Sequence, residues 1–230
     1  MRIGILGGTG PEGRGLALRL SQAGFPVTIG SRKPDQAALK AEELRLRLQE
    51  EGGSAAEISG LENAGVVETC ETVFIATPFE HAAGLLESCR GHFRQGQIVV
   101  DVTVPLQFRA KRLQLRELPE PSASEHLARV LPEGVPLVAA FKTIPAHLLE
   151  DLSERLDCHV FVCGDSAGAR GRIVQIASAI EGLSPLDVGP LRQAATLERM
   201  TLLAIQINKR HRVHHSRFRV VGLERATPPL

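Results

Sequence analysis

A glycine-rich loop near the start of the chain has the spacing of a ligand-binding turn. Residues 8–13 (GTGPEG) match GxGxxG, with an apolar run over residues 2–6 before them and helical apolar spacing after them. Such glycines allow a tight turn, a close approach of backbone N–H groups to a pyrophosphate, and close packing of helix on strand. The helix N-terminus then faces the anion. The loop predicts a dinucleotide site, the alternative being a tight turn without a ligand.

The residues after the second predicted strand indicate which dinucleotide would bind. An NAD-specific unit has Asp or Glu here for the ribose 2′-hydroxyl. This chain instead has Ser31, Arg32 and Lys33, which offer a hydroxyl and two cations to a phosphate monoester. We therefore predict NADP rather than NAD, with a solvated basic corner as the alternative interpretation.

A third loop, residues 77–81 (TPFEH), follows another predicted strand. In a doubly wound sheet, ligands bind outside the carboxyl ends of the strands, so this loop should border the nicotinamide half of a dinucleotide. Thr77 and His81 are the candidate contacts. For His81, a role as a helix-start residue that only caps the helix is an equal alternative.

The elements that must position these loops alternate between strands and helices. In the first half, we expect strands at residues 2–6, 27–29, 73–76 and 98–100, separated by helices that include 35–51 and 81–89. This alternation predicts an α/β fold with a doubly wound parallel sheet, because parallel neighbours need a crossover and both faces become covered.

The second half has a change of texture near residues 118–124, which are rich in Pro and Ser. We place a boundary at residue 146, giving a dinucleotide-binding Rossmann domain (1–146) and a smaller C-terminal α/β domain (147–230). The elements expected in this half are helices at 124–131, after 146 and at 168–180, strands at 137–141, 159–163 and 186–188, and a final helix at 190–209. The three-four spacing of apolar residues in the final helix predicts that it packs tightly, and a homodimer is plausible.

Composition excludes several classes of protein. The 230 residues are 43% apolar with a net charge of +1, which argues against a disordered chain and a globally basic nucleic-acid binder. No apolar run approaches the ~18–20 residues that cross a bilayer, so we expect a soluble cytoplasmic protein without a membrane partner. Four cysteines without a CxxC pair predict buried, reduced thiols, with Cys158 and Cys163 on opposite faces of a strand. No metal site is expected.

The motifs also occur in an order that resembles a known family. The segments GGTGPEGRGLALRL, GSR, TPFEH, AFKTIPA, VCGD and GLSPLDVGPL are similar, over nearly the whole chain, to the NADPH-dependent reductases of the 5-deazaflavin coenzyme F420. The resemblance implies hydride transfer between NADP(H) and the deazaflavin. It also implies that the pyrophosphate is contacted by Gly7, Thr9, Gly10, Pro11 and Glu12. The 2′-phosphate would be contacted by Ser31, Arg32 and Gln36. The nicotinamide side would be contacted by Thr77, His81, Ile144 and Ala146. Gln36 stands where some relatives have Lys.

The segment AFKTIPA departs from the family pattern at Lys142, where His or Asn is usual. We place Lys142, Thr143 and Ile144 at the catalytic meeting point, where the nicotinamide ring would lie against the deazaflavin ring. Lys142 would donate a hydrogen bond that stabilises the negative charge that develops on the acceptor. Lys142 also favours one alternative, an NADPH-dependent reductase of a flavin, a ferric complex, or a small carbonyl or imine. A non-catalytic NADP sensor is the other alternative.

The segment 208–219 contains five Lys and Arg residues. One interpretation is that it attracts the anionic phosphate and glutamate tail of the deazaflavin. The other is a solvated helix end, where cations are favourable beside the negative pole of the helix. The slight support for the sensor hypothesis also comes from this segment.

Overall fold

The computed structural model describes residues 1–51, 56–110 and 112–223. The strands are β1 (Ile3–Leu6), β2 (Val27–Ser31), β3 (Ile58–Glu62), β4 (Thr72–Ile75), β5 (Ile98–Asp101), β6 (Leu106–Arg109), β7 (Arg112–Leu115), β8 (Leu137–Ala139), β9 (Cys158–Gly164) and β10 (Leu183–Asp187). The helices are α1 (Pro11–Gln22), α2 (Pro34–Glu50), α3 (Asn63–Thr69), α4 (Phe79–Ser88), α5 (Ala123–Ala128), α6 (Ala146–Glu150), α7 (Ala167–Ser178) and α8 (Ala194–His211).

Eight strands form one sheet in the order β10-β9-β8-β5-β4-β1-β2-β3. Neighbouring strands are parallel except for β8 and β9, which run antiparallel. The chain leaves β1 toward β2 and β3 on one side, then crosses to β4 and β5 on the other. The predicted doubly wound fold is confirmed, and the reversal of strand order beside β1 creates the switch point where such folds bind ligands.

Two parts of the fold were not predicted from the sequence. Strand β3 and helix α3 follow one another at the edge of the sheet, where β3 is buried only at Ile58 and exposed at its carboxyl end. Strands β6 and β7 form a separate antiparallel hairpin, with Phe108 80% exposed at its tip. Strand β3 and the two hairpin strands are mostly exposed or half-buried, so they lack the apolar runs that revealed the central strands.

The predicted boundary at residue 146 falls between β8 and α6. Strand β9, beyond this boundary, pairs with β8, so the residues on both sides contribute to one continuous sheet. The division into two domains stays a prediction.

Each face of the sheet has its own apolar core. Residues on alternate positions of β9 belong to different clusters, with Cys158 in one and Cys163 in the other. The predicted placement of these two cysteines on opposite faces is confirmed. Burial raises the pKa of the Cys158 thiol to about 11 and that of the Cys163 thiol to about 12, so both are protonated at neutral pH.

The final helix α8 packs more tightly in its first half than in its second, where Ala204 is nevertheless buried. Leu197 is buried together with Ala194, whereas Leu203 is 48% exposed and Ile207 is half-buried. The prediction of tight packing along the whole helix is therefore corrected for the second half. No helix in the described ranges has the length and hydropathy needed to span a bilayer.

Candidate dinucleotide-binding cleft

A cleft of about 1490 Å³ opens at the carboxyl ends of β1, β2, β4 and β5. Its wall brings together predicted residues that are far apart in sequence: Gly7, Thr9, Gly10, Pro11, Glu12, Ser31, Arg32, Gln36, Thr77, His81, Lys142, Ile144 and Ala146. The sheet topology explains this convergence, because the carboxyl ends of parallel strands meet at one edge. The assignment of each residue to a part of the cofactor stays a prediction.

The glycine loop is closely packed at Gly7, Gly8 and Gly13 and open at Gly10. A Cβ added at Gly13 would lie 2.5 Å from the Cα of Gly8, and one at Gly7, where φ is +71°, would lie 2.9 Å from the Cβ of Thr77. At Gly10 the nearest atom to an added Cβ is 3.6 Å away. Gly10 is the N-cap of α1 and contributes no capping side chain, so first-turn N–H groups of this helix remain free for an anion.

The end of β2 forms an exposed basic corner beside this loop. Ser31 is buried, and its Oγ accepts a hydrogen bond of 3.2 Å from the backbone N–H of Lys33. Arg32, Lys33 and Gln36 are exposed, and neither cation has an ion-pair partner among the residues that the structure describes. Two cations without a protein counterion can bind an anionic group from solution.

Two side-chain oxygens in the cleft wall are buried without hydrogen-bond partners. They are Oε1 of Glu12, in the first turn of α1, and Oδ1 of Asn63, the first residue of α3. Burial, with a smaller contribution from the nearby charge of Glu150, raises the pKa of Glu12 to about 8. Because unpartnered buried polar atoms are unfavourable, both oxygens indicate a ligand that supplies the missing partners.

Another part of the wall is formed by the loop after β4 and the turn after β8. Thr77 is half-buried, and His81 is exposed in the first turn of α4, where its N–H donates to the carbonyl of Pro78. Ile144 is buried and closes a turn through a 3.2 Å hydrogen bond from its N–H to the carbonyl of Phe141. Thr143 is buried within this turn and is not among the residues that line the cleft, so its place at the meeting point stays a prediction.

The structure also corrects the hypothesis that Lys142 donates to an acceptor in the cleft. Its side chain is fully buried, and Nζ lies 2.7 Å from Oδ2 of Asp101 and 3.4 Å from Oε1 of Glu198. Nζ also donates to the carbonyl oxygen of Thr103. Nζ thus makes two hydrogen bonds, to Asp101 and to the carbonyl of Thr103, and Glu198 lies within ion-pair distance.

The acidic partners of Lys142 are themselves held by further hydrogen bonds. Oδ1 of Asp101 accepts from the N–H and the hydroxyl of Thr103, at 2.8 and 2.7 Å. Oδ2 of Asp101 accepts from the hydroxyl of Ser124 at 2.6 Å. Glu198 accepts from the N–H of Ala123 at 3.1 Å, and burial raises the pKa of its carboxyl group. We call Asp101, Lys142 and Glu198 the buried ion cluster.

Several residues of the cleft wall were missed from the sequence. Val102, Thr103 and Val104 follow β5 directly, and the rule that ligands bind at the carboxyl ends of strands would have found them. Asn63 was missed because α3 was not predicted. Thr201 of α8 carried no local signal, since its place in the wall depends on how a distant helix packs.

The basic segment 208–219 lies apart from this cleft. None of its residues, all of which are described, lines the wall. The carbonyl of Phe218 accepts from the N–H of His159, and Arg219 forms an ion pair of 3.0 Å with Asp157. The segment thus contacts β9 and the residue before it, and the geometry gives no support to a role in drawing the deazaflavin tail into the cleft.

The family model described as NADP oxidoreductase coenzyme F420-dependent matches residues 2–105. A protein of Methanocaldococcus jannaschii named F420-dependent NADP reductase is 33% identical over 226 residues, which cover 97% of this chain and 100% of the relative. The chain belongs to the coenzyme F420-dependent NADP oxidoreductase family. A Methanothermobacter thermautotrophicus protein of the same name is also 33% identical, over 97% of this chain and 96% of the relative.

A crystal structure supports the membership in the family. An Arthrobacter sp. FB24 protein, provisionally named an F420-dependent NADP reductase, superposes with a TM-score of 0.80 at 25% identity, covering 96% of this chain and 100% of that one. The match to the oxidoreductase family model spans β1 to β5, the strands whose carboxyl ends form the cleft. Lys142, Ile144 and Glu198 lie beyond it, within the longer alignments to whole relatives.

Proposed function

We propose that this protein transfers a hydride between NADP(H) and coenzyme F420. Full-length relatives that carry the name of this activity support the proposal. The observation that carries its NADP half is the basic corner at the end of β2, where Arg32 and Lys33 stand unpaired among the described residues and residues 31–33 (SRK) contain no Asp or Glu for a ribose 2′-hydroxyl.

The residues present fit NADP along the length of the cleft. The open position at Gly10 and the uncapped start of α1 suit the pyrophosphate. Ser31 and Arg32 suit the 2′-phosphate, with Gln36 beside them. The unpartnered oxygens of Glu12 and Asn63 have space for groups that donate hydrogen bonds. Thr77, His81, Ile144 and Ala146 would then border the nicotinamide.

The two cofactors supply the redox chemistry, because nicotinamide donates or accepts the hydride and the deazaflavin ring does the converse. The protein itself positions the two cofactors and shields their reacting rings from water. Buried Ile144 and Val102 give the wall apolar surface that excludes water from the meeting point. The loop at Gly10 and the cations at the end of β2 anchor the remote part of the dinucleotide, which restricts the position of the reacting end.

The burial of Lys142 removes the reason for favouring a different acceptor. That alternative relied on an ammonium placed at the meeting point, and the ammonium is instead enclosed by Asp101, Glu198 and the carbonyl of Thr103. A change from His or Asn to Lys at this position therefore does not place a new charge beside the acceptor.

A parallel assay of NADPH oxidation tests the proposal. Purified protein is mixed with NADPH and, in separate reactions, with F420, FMN or a ferric chelate, and absorbance at the nicotinamide band is followed. We expect rapid oxidation of NADPH only in the reaction that contains F420. Oxidation with FMN or the ferric chelate but not with F420 would overturn the acceptor assignment. Tight NADPH binding without oxidation in any reaction would indicate a sensor instead.

We also propose that the protein is a cytoplasmic homodimer. The exposed second half of α8, with Leu203, and the exposed tip of the β6–β7 hairpin, with Phe108, support a contact between two copies through this side of the molecule. The four buried free thiols fit a reducing compartment. Sedimentation equilibrium checks the dimer, and Leu203→Lys should shift it toward the monomer. A monomeric parent protein at micromolar concentration would contradict it.

A further inference from the structure

The turn between β8 and α6 holds an unusual backbone conformation beside the cleft. Phe141 is a non-glycine residue with φ of +60°, in the left-handed region that L-residues rarely adopt. It is followed by buried Lys142, and two residues later by Ile144 in the cleft wall. A strained conformation of this kind persists only where the surrounding structure holds it in place.

Three side chains attach this turn to the rest of the fold, one at the end of β5 and two on α8. Nζ of Lys142 pairs with Asp101 at the end of β5 and with Glu198 of α8. The carbonyl oxygen of Lys142 accepts a 2.8 Å hydrogen bond from the hydroxyl of Thr201, also on α8. The ammonium and the backbone of one residue are therefore both tied to the final helix.

We propose that Asp101, Lys142 and Glu198 act as positioning residues that hold the turn, and with it Ile144, in the place required for the nicotinamide half of NADP. None of the three carboxylate and ammonium groups needs to touch the cofactor. The inference rests on the proposed function, since it assigns the nicotinamide to this end of the cleft. It adds residues that the predicted site did not contain, namely Asp101 and Glu198.

The charges suit this role better than a role in stability alone. Burying an ion pair is weak evidence for stabilisation, because the loss of hydration offsets much of the attraction. A buried pair is, however, strongly directional when every donor and acceptor is occupied, and here Asp101 accepts from Thr103, Ser124 and Lys142 together. A cluster on β5, on the turn after β8 and on α8 thus fixes the turn relative to both the sheet and the final helix.

The experiment compares two ligands that share the adenosine end. NADPH carries the nicotinamide, whereas 2′,5′-ADP has the same 2′-phosphate but lacks it. The variants are Glu198→Gln, which keeps the shape and removes the charge, and Ser124→Ala, which removes one hydrogen bond to Asp101. Neither Glu198 nor Ser124 lines the cleft. The matched control is Glu125→Gln. Glu125 lies on the same helix as Ser124, and its carboxylate accepts a hydrogen bond from the hydroxyl of Ser122.

We expect Glu198→Gln to weaken NADPH binding by about five-fold or more and Ser124→Ala to weaken it by about two- to three-fold, the lower end of the range for one hydrogen bond. Affinity for 2′,5′-ADP should stay within about two-fold, and the fluorescence of bound NADPH should change because its nicotinamide environment changes. Equal weakening of both ligands, or no weakening of either, in both variants would overturn the positioning role. A parent protein that binds neither ligand would instead overturn the proposed function.

Discussion

The two ends of the cleft use charge in opposite ways. At the end of β2, Arg32 and Lys33 are exposed and have no ion-pair partner among the described residues. At the other end, Lys142 is fully buried and pairs with the carboxylates of Asp101 and Glu198. The role of a residue near a site therefore depends on its partners as well as on its type. A cation is available to a ligand only where the protein has left it unpaired.

Removal of the buried cation is expected to have the largest effect on stability. Lys142→Met keeps a similar length but leaves the buried carboxylates of Asp101 and Glu198 without their counterion. We expect the free energy of unfolding to fall by about 3–5 kcal/mol, as for other buried pairs that lose one partner. Urea denaturation at pH 7.5 measures this loss.

The same substitution at the open end is the control for that experiment. Lys33→Met removes an exposed cation that has no described partner, so the free energy of unfolding should change by less than about 0.5 kcal/mol. The contrast between the two ends would be wrong if both variants destabilised the protein to the same extent.

The second test reverses the contrast by measuring binding instead of stability. Arg32→Ala should weaken NADPH binding by about 1.5–3 kcal/mol, the range for a hydrogen bond to a charged group. NADH binding and the free energy of unfolding should hardly change, because Arg32 is exposed and NADH lacks the 2′-phosphate. Calorimetric titration with both dinucleotides provides the measurement. Arg45→Ala, on the outer surface of α2, is the control, and equal losses for NADPH and NADH would refute the assignment.

A third test concerns Glu12, which is intermediate between the two ends because its Oε1 is buried but unpartnered. The pKa of Glu12 is raised from 4.5 to about 8 in the folded protein. Between these values the folded protein retains a proton that the unfolded chain releases, so stability falls as pH rises across this window. Glu12→Gln has no proton to lose. Its stability relative to the parent should rise from pH 5 to pH 8, by at most about 1.4 kcal/mol per pH unit.

Thermal unfolding at half-unit intervals of pH follows this difference. The midpoint of Glu12→Gln should approach and then exceed that of the parent as pH increases, and the gap should stop growing above the pKa of Glu12. Glu80→Gln, an exposed substitution near the same cleft, should show no such trend. A gap that is constant with pH would mean that Glu12 is ionised in the folded protein throughout.

The contrast between the two ends also shows what the sequence could predict. The loop at residues 8–13 and the cations after β2 were recognisable because their function depends on local spacing and on free charge. Lys142 was expected to donate to the acceptor, but its ammonium pairs with Asp101 and Glu198, which lie 41 and 56 positions away in sequence, on β5 and α8. Such pairings depend on tertiary packing. Edge elements such as β3 were missed for a related reason, because few of their residues are buried.

The smallest effect is expected from an added charge at Gln36, at the exposed end of the cleft. Gln36 lies in the cleft wall two residues inside α2, exposed and close in sequence to Arg32 and Lys33. Gln36→Lys would add a third unpaired cation where a 2′-phosphate is proposed to bind. Because the position is exposed and screened by salt, we expect a gain of only about 0.3–1 kcal/mol in NADPH affinity, with no gain for NADH. The gain should diminish when the calorimetric titration is repeated in high salt. A salt-independent gain, or one shared by NADH, would show that the added lysine acts elsewhere than on the 2′-phosphate.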